Sequence, residues 1–193
     1  MSARIDEGKL RFEFESQWRV ARYDGDEGAA PAHAFYQKQV SRLPGTKAVD
    51  CVGLLFGEGG YLMEVKDFRG YRIQNKKRLG SGELAIEVAQ KVRDTIAGLV
   101  GAVRNETNPS ILTDAGLLLF KKAETVRIVL WLEDDAAVNP KAWAEELNTL
   151  TTRIQTYLRW LTSRVLVLSI STYAQKPPGI KVTNVPRRPG PTR

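Results

Sequence analysis

The stretch from Ala48 to Phe68, "AVDCVGLLFGEGGYLMEVKDF", constrains this chain more than any other. Two apolar runs flank a glycine turn, which predicts a β-hairpin. Runs this apolar suggest a largely buried hairpin, and charged groups placed there need partners. Three stand out: Asp50, Glu64 and Lys66. Glu64 and Lys66 lie two positions apart and so point to one side of a strand. That spacing alone is uninformative, because Glu7 and Lys9 repeat it in a polar segment. Asp50 supplies the context. A turn within "GEGG" centres the pairing near Gly57 and sets Asp50 opposite Glu64, with Cβ atoms about 5 Å apart. Two carboxylates that close repel unless a cation sits between them or one is protonated. A bridging divalent ion accounts for the pair, and oxygen-only ligation suits Mg²⁺ or Mn²⁺. Lys66, next on the same face, would then position or help deprotonate an activated water and stabilise charge on a phosphate under attack. The alternative is an exposed acidic and basic strand face with no chemistry.

The remaining pattern builds a domain around the hairpin. Residues Leu10 to Tyr23 alternate as one or two opening strands, and Pro31 to Leu43 predicts a short helix after the "DGDEGAAP" loop. "RGYRIQNKKRLGSG" reads as a basic loop. From Glu83 to Arg104 an apolar stripe of Ala85, Val88, Ala89, Val92, Ile96, Leu99, Val100 and Val103 marks the strongest helix. "VRIVLWL" is a buried strand. Asn139 and Pro140 are the N-cap and first position of a second long helix, roughly 140–162. "RVLVLSI" is the last buried strand. These elements predict an α/β fold with a mixed central sheet flanked by helices and an N-terminal β extension. Residues 1–174 form a single domain in this reading. Residues 175–193 are a basic, proline-rich tail with at most a short strand near Ile180 to Val182.

Composition narrows the chemistry. The net charge of +7 favours an anionic partner such as nucleic acid. Cys51 is the single cysteine, which excludes a disulfide framework and a thiolate zinc site and fits a reducing, cytoplasmic setting. The charged N-terminus lacks an apolar signal core, and no run approaches a membrane span. His33 is the single histidine, so histidine-rich metal sites are excluded, and a serine or cysteine hydrolase would have to use it as base. It lies in "APAHAFY" without a nucleophile motif and reads as a surface or helix-start residue.

Asp50, thirteen intervening residues, then Glu64-Val65-Lys66 and a long helix together resemble the PD-(D/E)xK nuclease superfamily, over about residues 31–170. The resemblance implies a restriction-endonuclease-like αβββαβ core and Mg²⁺- or Mn²⁺-dependent hydrolysis of phosphodiesters, DNA above all. It makes Asp50 and Glu64 the metal ligands with the Val65 carbonyl, and Lys66 the catalytic lysine. It also suggests Gln90, on the edge of the long helix, as a residue set against the active site. Three departures stand. Asp94 occupies the position, four residues after Gln90, where one group of these nucleases has a tyrosine. Val49 replaces the usual proline, and "PAHAFYQKQVSRL" offers no acidic residue, leaving Asp24 or Glu27 upstream as substitutes.

Arg69, Arg72, Lys76, Lys77 and Arg78 cluster after the motif as phosphate contacts, with Tyr71 for stacking. Arg93, at the margin of the helix stripe, is a further nucleic-acid contact or a snorkelling arginine. "WLEDD", ending at Asp135, reads as a strand end and loop. Beside the nuclease stand a catalytically silent module of the same fold, binding nucleic acid or a partner protein, and a protein-binding domain whose charge is incidental. Activity that needs a partner subunit or a second copy, and roles in bacterial defence or repair, are compatible with the same residues.

Overall fold

The run after the glycine turn forms the longest strand of the described fold, and its composition explains its central place. Residues 60 and 62 of Gly59–Asp67 turn toward one covering layer and residues 61 and 63 toward another, and all four are buried. A strand covered on both faces reads as near-continuous apolar sequence. The computed structural model describes residues 3–24, 34–106, 110–135, 139–175 and 177–186, without the side chains of residues 72, 73, 76 and 173–175. His33 and Glu27 lie outside the described residues.

In chain order the elements are β1 (Ala3–Glu7), β2 (Leu10–Phe14), β3 (Trp18–Arg22), a π-helical turn (Tyr36–Val40), β4 (Cys51–Leu55) and β5 (Gly59–Asp67). Then follow α1 (Arg72–Ser81), α2 (Glu83–Arg104), α3 (Ser110–Leu119), β6 (Val126–Glu133), α4 (Pro140–Leu158), β7 (Val165–Leu168), a 3₁₀ segment (Ile170–Gln175) and β8 (Ile180–Asn184). The central sheet has the order β3-β4-β5-β6-β7. Its first three strands form an antiparallel meander, and β5, β6 and β7 run parallel. The fold is therefore mixed α/β, as the sequence predicts.

The covering layers differ from expectation. All four α-helices pack on one face, where Leu84, Val88, Val92, Leu112, Trp143 and Ile154 meet Val52, Leu62, Ile128 and Leu130. The opposite face carries a second sheet in place of helices, with strand order β1-β2-β8. Phe12, Phe14, Ile180 and Val182 from that sheet bury Cys51, Tyr61, Met63, Val129 and Trp131. The N-terminal β extension is thus half of a structural layer. Its other half, β8, comes from the segment assigned to the tail and pairs with β2 from Leu10↔Asn184 to Phe14↔Ile180. Phe12 meets Trp131 edge to face across the two sheets.

Two helices were not foreseen as such. The basic segment after β5 is helix α1, closed by Gly82 at φ +82, and not a loop. It has ordinary helix formers but no apolar stripe, so periodicity gave no signal. The segment 110–119 forms α3 against α2, with Ile111, Leu112 and Ala115 buried. By contrast, Asn139 caps α4 as read from the sequence, its Oδ1 accepting from Ala142 N at 3.3 Å. Among the described residues no helix is long and apolar enough to cross a membrane.

Gly59 fixes where β5 begins. It sits at φ +119, and a Cβ there would meet the Thr125 carbonyl oxygen at 2.2 Å. Because that neighbour is backbone, it cannot swing aside. Gly59→Ala is expected to cost more than about 3 kcal/mol in urea unfolding, through strain at a left-handed position and the clash together.

Candidate active site

The hairpin register places the acidic pair. Cys51 pairs with Met63 and Val52 with Leu62, so the same register carried back one residue sets Asp50 opposite Glu64. Val52 and Leu62 face the helices, and alternation puts Asp50, Glu64 and Lys66 on that same side. Beyond the Cys51–Met63 pair the strands separate, and the Asp50 side chain takes over the ladder. Its Oδ2 accepts from Val65 N at 2.6 Å, while its backbone carbonyl accepts from Tyr23 N at 2.7 Å. The pair stands near the C-terminal end of β5, within the parallel half of the sheet, where ligands of open α/β sheets collect.

A network of charged side chains closes over this point. Glu64 is 1% exposed. Its Oε1 has the Lys66 ammonium at 2.9 Å and the Lys91 ammonium at 2.8 Å. Both are ion pairs to the same oxygen, and Oε2 has no donor among the described residues. Lys91, itself buried, also stands 3.8 Å from Asp50 Oδ1 and 3.7 Å from Asp24 Oδ2. Glu87, one turn before Lys91 on α2, takes Lys66 at 3.0 Å and also pairs with Arg78.

Burial dominates the protonation of these groups. It pushes the Asp50 carboxyl up to about 6, against the pull of Lys91 and of the Val65 N–H. Burial and then the neighbouring Asp50 push Glu64 up to about 7, against Lys66 and Lys91. For Lys66, burial works against the charged form, but Glu64 and Glu87 outweigh it and raise its pKa. With its ammonium favoured by Glu64 and Glu87, Lys66 suits electrostatic stabilisation.

The sequence-selected basic residues divide. Arg69 grips Asp67 through two nitrogens at 2.8 and 2.7 Å and reaches Asn184 Oδ1 at 2.6 Å, tying β5 to β8. Arg78 is held by Glu87 and by Asn75 Oδ1 at 2.9 Å, over the ring of Phe68. Both are committed to the fold. Lys77 and Tyr71 are exposed, and the side chains of Arg72 and Lys76 lie outside the described set. Gln90 Oε1 accepts from Lys47 Nζ at 3.3 Å, on the loop leading to Asp50. Arg93 is exposed and pairs with its neighbour Asp94. The "WLEDD" cluster is structural too. Glu133 accepts from Trp131 Nε1 and Ile170 N, and Asp135 from Gly70 N at 2.6 Å.

Sequence reasoning missed Lys91 and Glu87. The buried face of α2 shares Ala85, Val88, Val92 and Leu99 with the stripe as read, but it is rotated by part of a turn and also takes in Leu84, Lys91, Thr95, Gly98 and Ala102. A lysine beside Val88 and Thr95 on that face was the available signal. Asp24, named as a substitute acid, does reach the rim. So does Glu7, whose neighbour Arg22 pairs with it and whose charge helps raise Asp50. The Glu7 spacing that served as a control in the sequence is thus close to the real cluster in space. No protein-family model, curated protein or solved structure matches the chain.

Proposed function

We propose that this chain is a metal-dependent nuclease of the PD-(D/E)xK kind, cleaving phosphodiester bonds of DNA. The order of a three-strand meander, helix and parallel strand supports a restriction-endonuclease-like core, with a second sheet added on its far face. The observation that carries the activity is the facing of Asp50 and Glu64 on one buried side, with a carboxylate oxygen that has no donor among the described residues. A buried orphan oxygen is a group built for a partner.

The residues fit Mg²⁺ or Mn²⁺. Asp50 Oδ1, Glu64 Oε2 and the Val65 carbonyl would hold the ion, a small set of hard oxygens of the kind that leaves room for water and phosphate oxygens. Among the described residues no group of three or more His, Cys, Asp or Glu side chains is placed to hold a metal ion, so the site would rest on two carboxylates and a backbone carbonyl. When bound, the ion supplies Lewis-acid polarisation of the phosphoryl oxygen and a more acidic water. The chain does the rest. Asp50 is oriented by Val65 N, and Glu64 by the two lysines. Lys66, kept charged by Glu64 and Glu87, stabilises the charge that builds on the phosphoryl group. Lys77 and Tyr71 lie beyond the β5 end as exposed contacts for the nucleic-acid backbone and bases.

An assay of purified protein with Mg²⁺ or Mn²⁺ on single- and double-stranded DNA and RNA tests this. Wild type is expected to cleave DNA, and Lys66→Ala to lose on the order of a hundredfold. Equal activity in both would assign the cleavage to something other than this site. One observation favours the silent module instead: Lys66 and Lys91 already balance Glu64 without a metal. Salt-dependent DNA binding with no calorimetric signal from Mn²⁺ would select that reading.

A further inference from the structure

Lys91 sits where a bridging cation belongs. It projects from α2 between the two carboxylates, 2.8 Å from Glu64 Oε1 and 3.8 Å from Asp50 Oδ1. It is buried, and it is the described cation that reaches both members of the pair. Lys66 contacts Glu64 and Glu87. Asp24 approaches Lys91 from the rim at 3.7 Å, so a third carboxylate stands ready beside the same ammonium.

We infer that Lys91 is a tethered counter-ion that holds the Asp50–Glu64 site closed in the metal-free protein and is displaced when a divalent cation binds. This rests on the proposed metal site and adds a competitor built into the chain. Two positive groups cannot share the space between these carboxylates, because the low-dielectric surroundings magnify their repulsion. Entry of the ion therefore requires the lysine to withdraw. Lys91 has the means: a flexible stem that lets the ammonium move, and Asp24 at the rim to receive it. The apparent metal affinity is then the intrinsic affinity reduced by the fraction of molecules whose site is open. The device also gives the metal-free fold its stability, since without Lys91 two carboxylates would face each other with Lys66 alone to balance them.

The test is calorimetric titration of Mn²⁺ into wild type and Lys91→Met, which keeps the apolar stem and removes the charge. The variant is expected to bind Mn²⁺ at least about tenfold more tightly, as follows if the site is open in a tenth of wild-type molecules or fewer. It should also melt lower without metal and gain more from added Mn²⁺. Adding Glu64→Gln to the variant should remove the gain. Equal or weaker binding by Lys91→Met overturns the inference and leaves the metal site standing. Binding by the variant alone supports the inference and ends the enzyme reading of the wild type. Silence in both overturns both. A measurement on unaltered protein guards against misfolding of the variant. With ¹⁵N on lysine Nζ, saturating Mg²⁺ should shift the Lys91 resonance toward those of solvated lysines, and an unmoved resonance overturns displacement.

Discussion

Asp50→Asn is expected to remove the proposed Mg²⁺-dependent DNA cleavage, by on the order of a thousandfold, and to leave the protein folded. The substitution is nearly isosteric, and the amide oxygen can still accept from Val65 N, now made at 2.6 Å by Oδ2. The local ladder at the end of β5 therefore persists. What disappears is the negative charge, and with it half of the carboxylate pair that would hold the ion. Stability should rise at pH 8, by about 1–3 kcal/mol, because a buried charge that shares its counter-ion with Glu64 is replaced by a neutral group. That counter-ion, Lys91, lies 3.8 Å from Asp50 and 2.8 Å from Glu64, so it keeps its closer partner in the variant. Activity and stability thus move in opposite directions, the trade expected of a functional site and not of a structural ion pair. The experiment measures initial cleavage rates and urea midpoints on the same preparations. A variant with unchanged rate, or one that loses rate by unfolding, would sink the assignment.

The register behind that expectation was readable because it depends on local chemistry. Gly57 and Gly59, at φ +76 and +119, confine the turn, and once the turn is fixed the pairing of every residue on both arms follows. Asp50 and Glu64 fall opposite one another by that rule alone. Helices α2 and α4 were readable for a similar reason: an apolar stripe in one, an Asn-Pro start in the other. The second sheet was not readable. β2 and β8 pair across most of the chain's length, and nothing in either segment records its partner. β1 offers only one buried apolar side chain of its own, Ile5. Lys91 escaped for a different reason. Which face of α2 is buried depends on how the helix sits over the sheet, and the stripe read from sequence was rotated by part of a turn. The partners of two basic residues were hidden in part for the same reason. Arg78 looks free in sequence because Glu87 arrives from α2, and although Arg69 pairs with the nearby Asp67, its contact to Asn184 comes from β8.

In metal-free buffer the protein should be more stable at pH 5 than at pH 8, against the usual behaviour of carboxylates in folded proteins. The sign follows from Asp50 and Glu64. Folding raises Asp50 from 3.8 to about 6 and Glu64 from 4.5 to about 7, both through burial first. Between about pH 4 and 7 the unfolded chain has released these protons while the folded chain still holds them, so stability falls as pH rises. A shift of two units corresponds to about 3 kcal/mol for one group, and the mutual repulsion of the pair makes the two act together. The groups facing them are Lys66, Lys91, Glu87, Asp24 and Glu7. Lys66 has a raised pKa and keeps its contribution throughout this window. Glu87 has a lowered one, despite burial, because of Lys66 and Arg78, so its contribution is lost only below the window. Glu7, raised by burial, adds to the fall. Mg²⁺ should reverse the loss at pH 8, by about 2.7 kcal/mol at a hundred times its Kd, and do little at pH 5, where protons compete for the same oxygens. Urea unfolding at both pH values, with and without Mg²⁺, measures all four numbers, and Glu64→Gln should flatten the metal-free difference. A wild-type protein that is equally stable at pH 5 and pH 8 without metal would mean that Lys66 and Lys91 fully offset the burial of the pair, leaving no unmet charge for a metal to satisfy.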